Sequence, residues 1–547
     1  MIRLQLAVFF LCWMLASATL FSQPTTTTLP TAALPAFRKD TISILHKGGR
    51  PDGRTLNTGV INQAIAELAS RGGGMVLLPP GLWLTGPIEI KSNINLHLAS
   101  GATLLFTEDF TQYPLIRTNW EGIPQMRNQS PISASNAENI AITGKGIIDG
   151  NGDAWRMVKR DKLNESQWKK LIASGGVLSV DQRTWYPSEK SRYGAGFVNP
   201  GAIQPDKNPA FYDSVKDFLR PNMLLMTSCR RILLEGVTFQ NSPAWCLHPL
   251  MCQDLTVQGI NVKNPWYAQN GDGIDVESCR NVVIENSVFD VGDDALCIKS
   301  GRDAEGRKRG MPTANVLIRN CTVYAAHGGF VIGSEMSGGA RDIWVNNCTF
   351  IGTDIGLRFK TTRGRGGVVE NIHIRDIHMK DIKGEAILFD MYYAARDPIP
   401  LAGEKRALPK AEFKPVDVST PVFRNFSIQH VYCNGAAQAI YVRGLPEMHV
   451  SGIVMAHMSF ISNNGIYLEE GSDIVLENIY IAPDNTNPLV DIIQSEDIRI
   501  KSIATPADPR LRYRISGSRS ARIQPEQGIK VGQIAFELGA SEKSIHQ

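Results

Sequence analysis

The chain has 547 residues, with 57 Lys plus Arg against 53 Asp plus Glu, 43% hydrophobic residues and 8% aromatic ones. This is globular composition, which excludes a disordered or fibrous chain. A formal charge of +4, with no Lys/Arg-rich run, excludes a dedicated nucleic-acid binder.

The first element in the chain is apolar. Arg3 precedes an uncharged stretch from Leu4 to Leu20, with small residues at Ala16-Ser17-Ala18 and at Ser22. This pattern predicts a secretory signal peptide over residues 1–22, a membrane anchor being the competing reading. Residues 23–37 read as a flexible spacer. The mature chain is expected to be secreted or periplasmic, without stable membrane insertion. Of nine cysteines, eight come after the leader: Cys229, Cys246, Cys252, Cys279, Cys297, Cys321, Cys348 and Cys433. They form no CxxC pair and several recur at similar intervals, which predicts buried free thiols in a repeat and no metal site.

Next, residues 57–70 have Ile61, Ala64, Ile65 and Leu68 on one helical face and a Gly72-Gly73-Gly74 stop. This helix is expected to cap the open end of a solenoid. An insertion over about residues 153–222 breaks the β rhythm. Within it, Asn164 and Gln167 read as a capping box opening a helix over 165–174, ended by Gly175.

From Cys229 onward, β-branched runs recur, starting at Arg231, Asp254, Asn281, Asn315, Asp342, Asn371, Asp473 and Asp497. Each unit holds three short strands that cannot bury a face alone, so the units must stack. The predicted fold is all-β, a right-handed parallel β-helix over residues 38–520. Residues 521–547 carry no assignment. Aligning one strand per rung places Trp245, Ile274, Leu296, Phe330, Leu357, Ile387, Ile440 and Ile466 in an inward column. The opposite column holds His248, Glu277, Lys299, Gly333, Lys360, Asp390, Arg443 and Glu469, predicting an exposed face of mixed charge.

Chemistry gathers just before two aligned strands, in Asn270-Gly-Asp272-Gly-Ile-Asp275 and Gly292-Asp293-Asp294. Asp272 and Asp294 share one position on neighbouring rungs, ~4.8 Å apart along the stack. Asp293 shares its position with His327 on the next rung. Crowded carboxyls favour one protonated partner, and an acid opposite a water-activating carboxylate, ~6.5 to 9.5 Å away, suits hydrolysis with inversion. Turn-forming Asx residues and a calcium cluster are the competing readings.

These segments, with Ala326-His327-Gly328 and Arg358-Phe-Lys360 after them, resemble the four signatures of glycoside hydrolase family 28, the polygalacturonases. The family signatures read Asn-Thr-Asp, Gly/Gln-Asp-Asp, Gly-His-Gly and Arg-Ile-Lys, and the resemblance covers about residues 40 to 500. It implies metal-free, cofactor-free, inverting hydrolysis of α-1,4-linked galacturonic acid in pectin, by an enzyme expected to be monomeric. By match, Asp293 would be the general acid, Asp272 and Asp294 would position and activate water, and His327 would support the acid. Arg358 and Lys360 would hold the sugar carboxylate, with Asn270 beside them and Lys299 and His248 available to anionic sugars from the charged column. Gly271 stands where the family has Thr, Ala326 where it has Gly and Phe359 where it has Ile. Phe330-Val-Ile-Gly-Ser-Glu335-Met-Ser-Gly-Gly resembles the exo-acting bacterial branch, with the 153–222 insertion and the basic stretch 302–309 as candidate blocks of the cleft. Endo-polygalacturonase and rhamnogalacturonan hydrolase remain alternatives, as do a calcium-dependent pectate lyase and a non-catalytic glycan-binding β-helix.

Overall fold

The computed structural model describes residues 29–393, 412–530 and 532–546; the leader assigned to residues 1–22 lies outside them. Residues 29–37 form no regular element, and the Ala33 N–H reaches Asp254 Oδ1 at 3.4 Å. Almost every strand is parallel to its neighbours; the solenoid strands fall into one 22-stranded and one 14-stranded sheet, beside a 3-stranded and a 2-stranded antiparallel sheet. The fold is the right-handed parallel β-helix. Among the described residues no helix is long and apolar enough to cross a membrane.

Three separate strands per rung hold only for the earlier turns. In the later half, two of the three merge into single bent strands such as Val368–Lys380, Val422–Asn434 and Val450–Ser462. The bend lies at a left-handed residue repeated in register: Asn347, Asp376, His430, His457 and Asn478 all have φ between 51° and 57°. Short polar side chains tolerate this region best. The residues opening the recurring runs are corners of the same kind, with Asp254, Asn281, Asn315, Asp342 and Asn371 at φ 57–60°. Their side chains form ladders, Asn281 donating to Asp254 and Asn315 to Asn281. Each of these asparagine corners thereby satisfies its amide on the preceding rung.

The core runs unbroken along the inside of the solenoid. Register pairs Ile274 with Leu296, Leu296 with Phe330, Phe330 with Leu357, and onward to Ile387, Ile440 and Ile466, as the alignment expects. The first rung differs. Leu247, and not Trp245, pairs with Ile274. Trp245 lies outside the core and stacks on Trp120 at 5.7 Å.

The capping helix Thr58–Ser70 buries Ile61, Ala64, Ile65 and Leu68 against the first rungs. In the insertion, the helix Glu165–Ala173 has the expected capping box between Asn164 and Gln167. The residues after 520 continue the stack, Ile534–Glu537 pairing with Tyr513–Ser516. An antiparallel hairpin, Leu115–Trp120 with Ile123–Asn128, is an element the sequence periodicity does not announce.

Phe359 is fully buried, with ring centroids 4.5 Å from Phe389 and 5.0 Å from Phe426. Phe359→Ala is expected to cost about 3–5 kcal/mol through the cavity it leaves, measured as a lowered denaturation midpoint in urea.

Candidate active site

Two glycines set the approach of the strands that carry the acidic cluster. A Cβ at Gly273 would meet the Ala295 carbonyl oxygen at 2.5 Å, and one at Gly292 would meet that of Pro265 at 2.3 Å. Without side chains there, the segments before Ile274–Glu277 and Leu296–Lys299 stack directly, Gly273 N–H donating to the Asp294 carbonyl.

The structure brings Asp272, Asp293 and Asp294 together, one oxygen of each lying within 4.8 Å of the others. This closest approach of single oxygens reflects the stacking of Asp272 and Asp294 one rung apart in register. Each carboxyl has different company. Asp294 is buried and receives Arg358 Nη1 at 3.2 Å on Oδ1 and Lys360 Nζ at 2.7 Å on Oδ2. Burial opposes its ionisation, but Lys360, Arg358 and Lys299 outweigh burial and hold its pKa well below the usual range. Asp293 lies nearer the surface, 3.2 Å from His327 Nδ1, and its two oxygens also accept from the Asn270 and Asp294 N–H groups. Burial again raises its pKa, and the His327 hydrogen bond and charge bring the net shift down. His327 is shifted up: burial works against protonation, but Asp293 more than offsets it. Asp272 is buried, and its Oδ1 has no hydrogen-bond partner. Burial, then the neighbouring charges of Asp275 and Asp293, push its pKa well up, which favours its neutral form.

The cluster thus combines a carboxylate clamped by two cations, a carboxylate–imidazole pair, and a buried carboxyl whose surroundings favour the neutral form. Three oxygens at this spacing would also suit a divalent cation. The surrounding charge argues against that fit, since Arg358 and Lys360 occupy both oxygens of Asp294 and His327 faces Asp293.

The remaining expected contacts divide. Asn270 reaches the cluster through its backbone, while its Oδ1 accepts from Arg220 Nη2 at 2.9 Å. Lys299 is 4% exposed, bound to Glu335 at 2.9 Å and 3.6 Å from Asp275, with its ammonium 4.9 Å over the Trp245 ring. His248 is a correction. It is fully buried, with Nδ1 against Asn222 and Nε2 against Glu277, both at 2.9 Å, so no ring nitrogen is left for a sugar. The charged column as a whole is covered, not exposed: Glu277, Lys299, Lys360 and Arg443 are all at or below 5% exposure. The basic stretch is likewise spent inward, Arg309 on Glu277 and Arg307 on the Gly364 and Arg365 carbonyls.

At its first rungs this face is covered by the hairpin that sequence reasoning misses, and further along Tyr393 lies over Lys360 and Tyr392 over Arg443. Trp120 at the tip of the hairpin stacks on Trp245 with planes 14° apart, Arg302 pairs with Glu121 at 3.3 Å, and Arg302 N–H faces the Gly122 carbonyl at 3.4 Å. The insertion does not form this wall itself. It packs Tyr212, Val215 and Leu219 against Leu115 and Met126 on the hairpin's other side. Glu335, within the Gly-rich segment, is the carboxylate that holds Lys299, and burial opposed by Lys299 and Arg365 leaves its pKa at about 2. Tyr393 is a further addition, its ring 4.7 Å from Lys360 Nζ and 5.6 Å from the Arg358 guanidinium carbon.

Compared with known proteins, residues 212–408 match the family model described as glycosyl hydrolases family 28. The chain is 28% identical over 432 residues to a probable polygalacturonase of Vitis vinifera, covering 77% of this chain and 74% of that one. It is 28% identical over 393 residues to an exo-poly-alpha-D-galacturonosidase of Dickeya chrysanthemi, covering 69% of this chain and 61% of that one. The crystal structure of a hyperthermoactive exopolygalacturonase from Thermotoga maritima superposes with a TM-score of 0.63 at 28% identity, over 88% of this chain and 94% of that one.

The Asp293–His327 pair gives a pH signature. The depressed Asp293 lends stability above its ordinary value of 3.8, lost as pH falls through the folded value. The raised His327 lends stability below 6.5, lost as pH rises through its folded value. The melting-temperature difference between wild type and His327→Ala is therefore expected to be largest between pH 3.8 and 6.5, and to shrink on either side. A difference that stays flat from about pH 4 to 9 would show that the pair is not charged.

Proposed function

The chain belongs to glycosyl hydrolase family 28 and is a glycoside hydrolase, and from that premise we propose that it hydrolyses the α-1,4-galacturonosyl linkages of pectin with inversion, releasing galacturonic acid from chain ends. The observation that carries the reading is the division of charge within the acidic cluster. Asp293 and His327 hold one proton between them at the open side of the cluster, and that proton is the one delivered through Asp293 to the leaving oxygen. Asp294 stays ionised beside neutral Asp272, a pair able to hold a water between an acceptor and a donor. With both oxygens of Asp294 occupied by cations, it is a poor covalent nucleophile, which favours attack by water and inversion over a glycosyl-enzyme intermediate.

Arg358 and Lys360 give a uronate a reason to bind. A substrate carboxylate arriving there competes with Asp294 for a guanidinium fork and an ammonium. As it takes them, Asp294 loses the charges that suppress its basicity. The substrate's own carboxylate thus prepares the water-activating group. A polymer too large to cross a membrane also fits the leader peptide and an enzyme acting in the periplasm or outside the cell.

The exo mode is supported by the hairpin. A groove open at both ends admits a chain anywhere along its length, whereas Trp120 on Trp245 and Glu121 on Arg302 close the face beside the rung that carries Asp272.

Asp293→Asn is expected to lower turnover on polygalacturonate by about 10²- to 10⁴-fold while the protein still folds; near-normal turnover would remove Asp293 from the acid role. On the same substrate, viscosity should fall slowly relative to the rise in reducing ends, with galacturonic acid as the first product. A rapid fall in viscosity with mixed oligomers would mean an open cleft, and unsaturated product absorbing in the ultraviolet would mean elimination.

A further inference from the structure

The hairpin carries charge as well as a wall. Arg127, on its second strand, is 7% exposed, and its Nε is buried without a hydrogen-bond partner. Among the described residues no carboxylate pairs with it; its guanidinium carbon lies 3.4 Å from the centre of the Trp120 ring. From Trp120 the contacts run on to Trp245 and then to the Lys299 ammonium over the Trp245 ring. A second arginine, Arg220, comes from the end of the insertion and is 9% exposed. It donates to the Pro243 and Gln269 carbonyls and to Asn270 Oδ1, none of them an anion. Through Asn270, whose N–H donates to Asp293, it is two hydrogen bonds from the acidic cluster.

Arg127 and Arg220 sit on adjoining segments, where Asn128 N–H donates to the Leu219 carbonyl at 3.3 Å, and two buried guanidinium groups, neither bonded to a carboxylate, are costly to keep. The cost is visible in both. Burial, and then the like charge of Arg220 against the pull of Glu121, lower Arg127 to about 9. Arg220 is lowered to about 10, chiefly by burial and then by Arg156. Two residues along the chain from Arg220 and from its partner Asn270, Asn222 Oδ1 and Asp272 Oδ1 are buried acceptors without a donor. A carboxylate flanked by hydroxyl groups would meet all of these needs at once.

We propose that Arg127 and Arg220 form a second carboxylate site, which binds the carboxylate of the terminal galacturonic acid in the closed end of the groove. It is distinct from the Arg358/Lys360 pair, which would take the carboxylate of the adjoining sugar. The site rests on the exo mode proposed for this groove. It supplies what a wall alone lacks, namely a reason for an acidic chain end, and not a neutral one, to settle there. Trp120 offers its ring to the same guanidinium, holding the fork flat and oriented before the sugar arrives.

The test is binding of galacturonic acid and of its methyl ester to the full chain, measured by calorimetric titration. Wild type is expected to prefer the acid by about 10- to 100-fold, the effect of a charge-assisted hydrogen bond. Arg127→Gln should weaken the acid by that factor and erase the preference, while Arg127→Lys, which keeps the charge and loses the fork, should fall between. If Arg127→Gln still prefers the acid as wild type does, the sugar sits elsewhere and the proposal is overturned. Should the Gln protein fail to fold, Arg127→Lys carries the comparison, and an undiminished preference there overturns it equally. Titration needs no turnover, so a wild-type protein inert towards polygalacturonate would count against the proposed function, and the carboxylate site would still be judged on binding.

Discussion

Hydrogen bonding of parallel strands in register repeats every position at one rung spacing, ~4.8 Å, and this repetition governs where charge can stand. A column of one sign would repel itself along the whole solenoid. The column that begins at Glu277 avoids this by alternation: Glu277 pairs with Lys299, Lys360 with Asp390, Asp390 with Arg443, and Arg443 with Glu469. Vertical neighbours of opposite charge let these groups lie buried under loops where single charges would be too costly. The corner residues obey the same rule with hydrogen bonds, each amide handed to the next rung.

At the acidic cluster the rule is broken. Asp272 and Asp294 are like groups at one position of adjacent rungs, the arrangement the buried charged column avoids. The strain is relieved unequally, Asp294 by two cations and Asp272 by a pKa raised towards the neutral form. Unequal relief is what gives three chemically identical side chains three protonation behaviours, and a local violation surrounded by compensation is what a functional site in an otherwise consistent fold looks like.

Much of this is legible in the sequence because a solenoid is nearly one-dimensional. Alternation and a small residue before each strand align the rungs from Ile274 to Ile466 correctly, and the stacking of Asp272 on Asp294 and of Asp293 on His327 comes with them. The first rung slips by two because Trp245 mimics an inward apolar residue, whereas Leu247 is the one that pairs with Ile274. A slip of two leaves His248 on the outward face, where Asn222, Glu277 and Trp245 bury it. The hairpin is harder to see. Its only turn signal is Glu121-Gly122, both at positive φ, which marks a tight hairpin turn once the flanking strands are known. Nothing local says that Trp120 reaches Trp245, 125 positions later, so the cover over the charged column, and Arg127 within it, come only from tertiary structure.

The repeat has one more effect, in its sulfur. The eight described cysteines are all unbonded and buried, spread over the rungs from Cys229 to Cys433. Several donate to backbone carbonyls, as Cys252 does to Met226 and Cys279 to Pro249. Burial pushes Cys246, Cys252 and Cys297 towards the unreactive thiol. A sulfhydryl reagent can therefore reach each one only when its own turn of the coil opens. The thiols grade the solenoid along its axis, so the order in which they become modifiable records from which end, and how far, the coil has frayed.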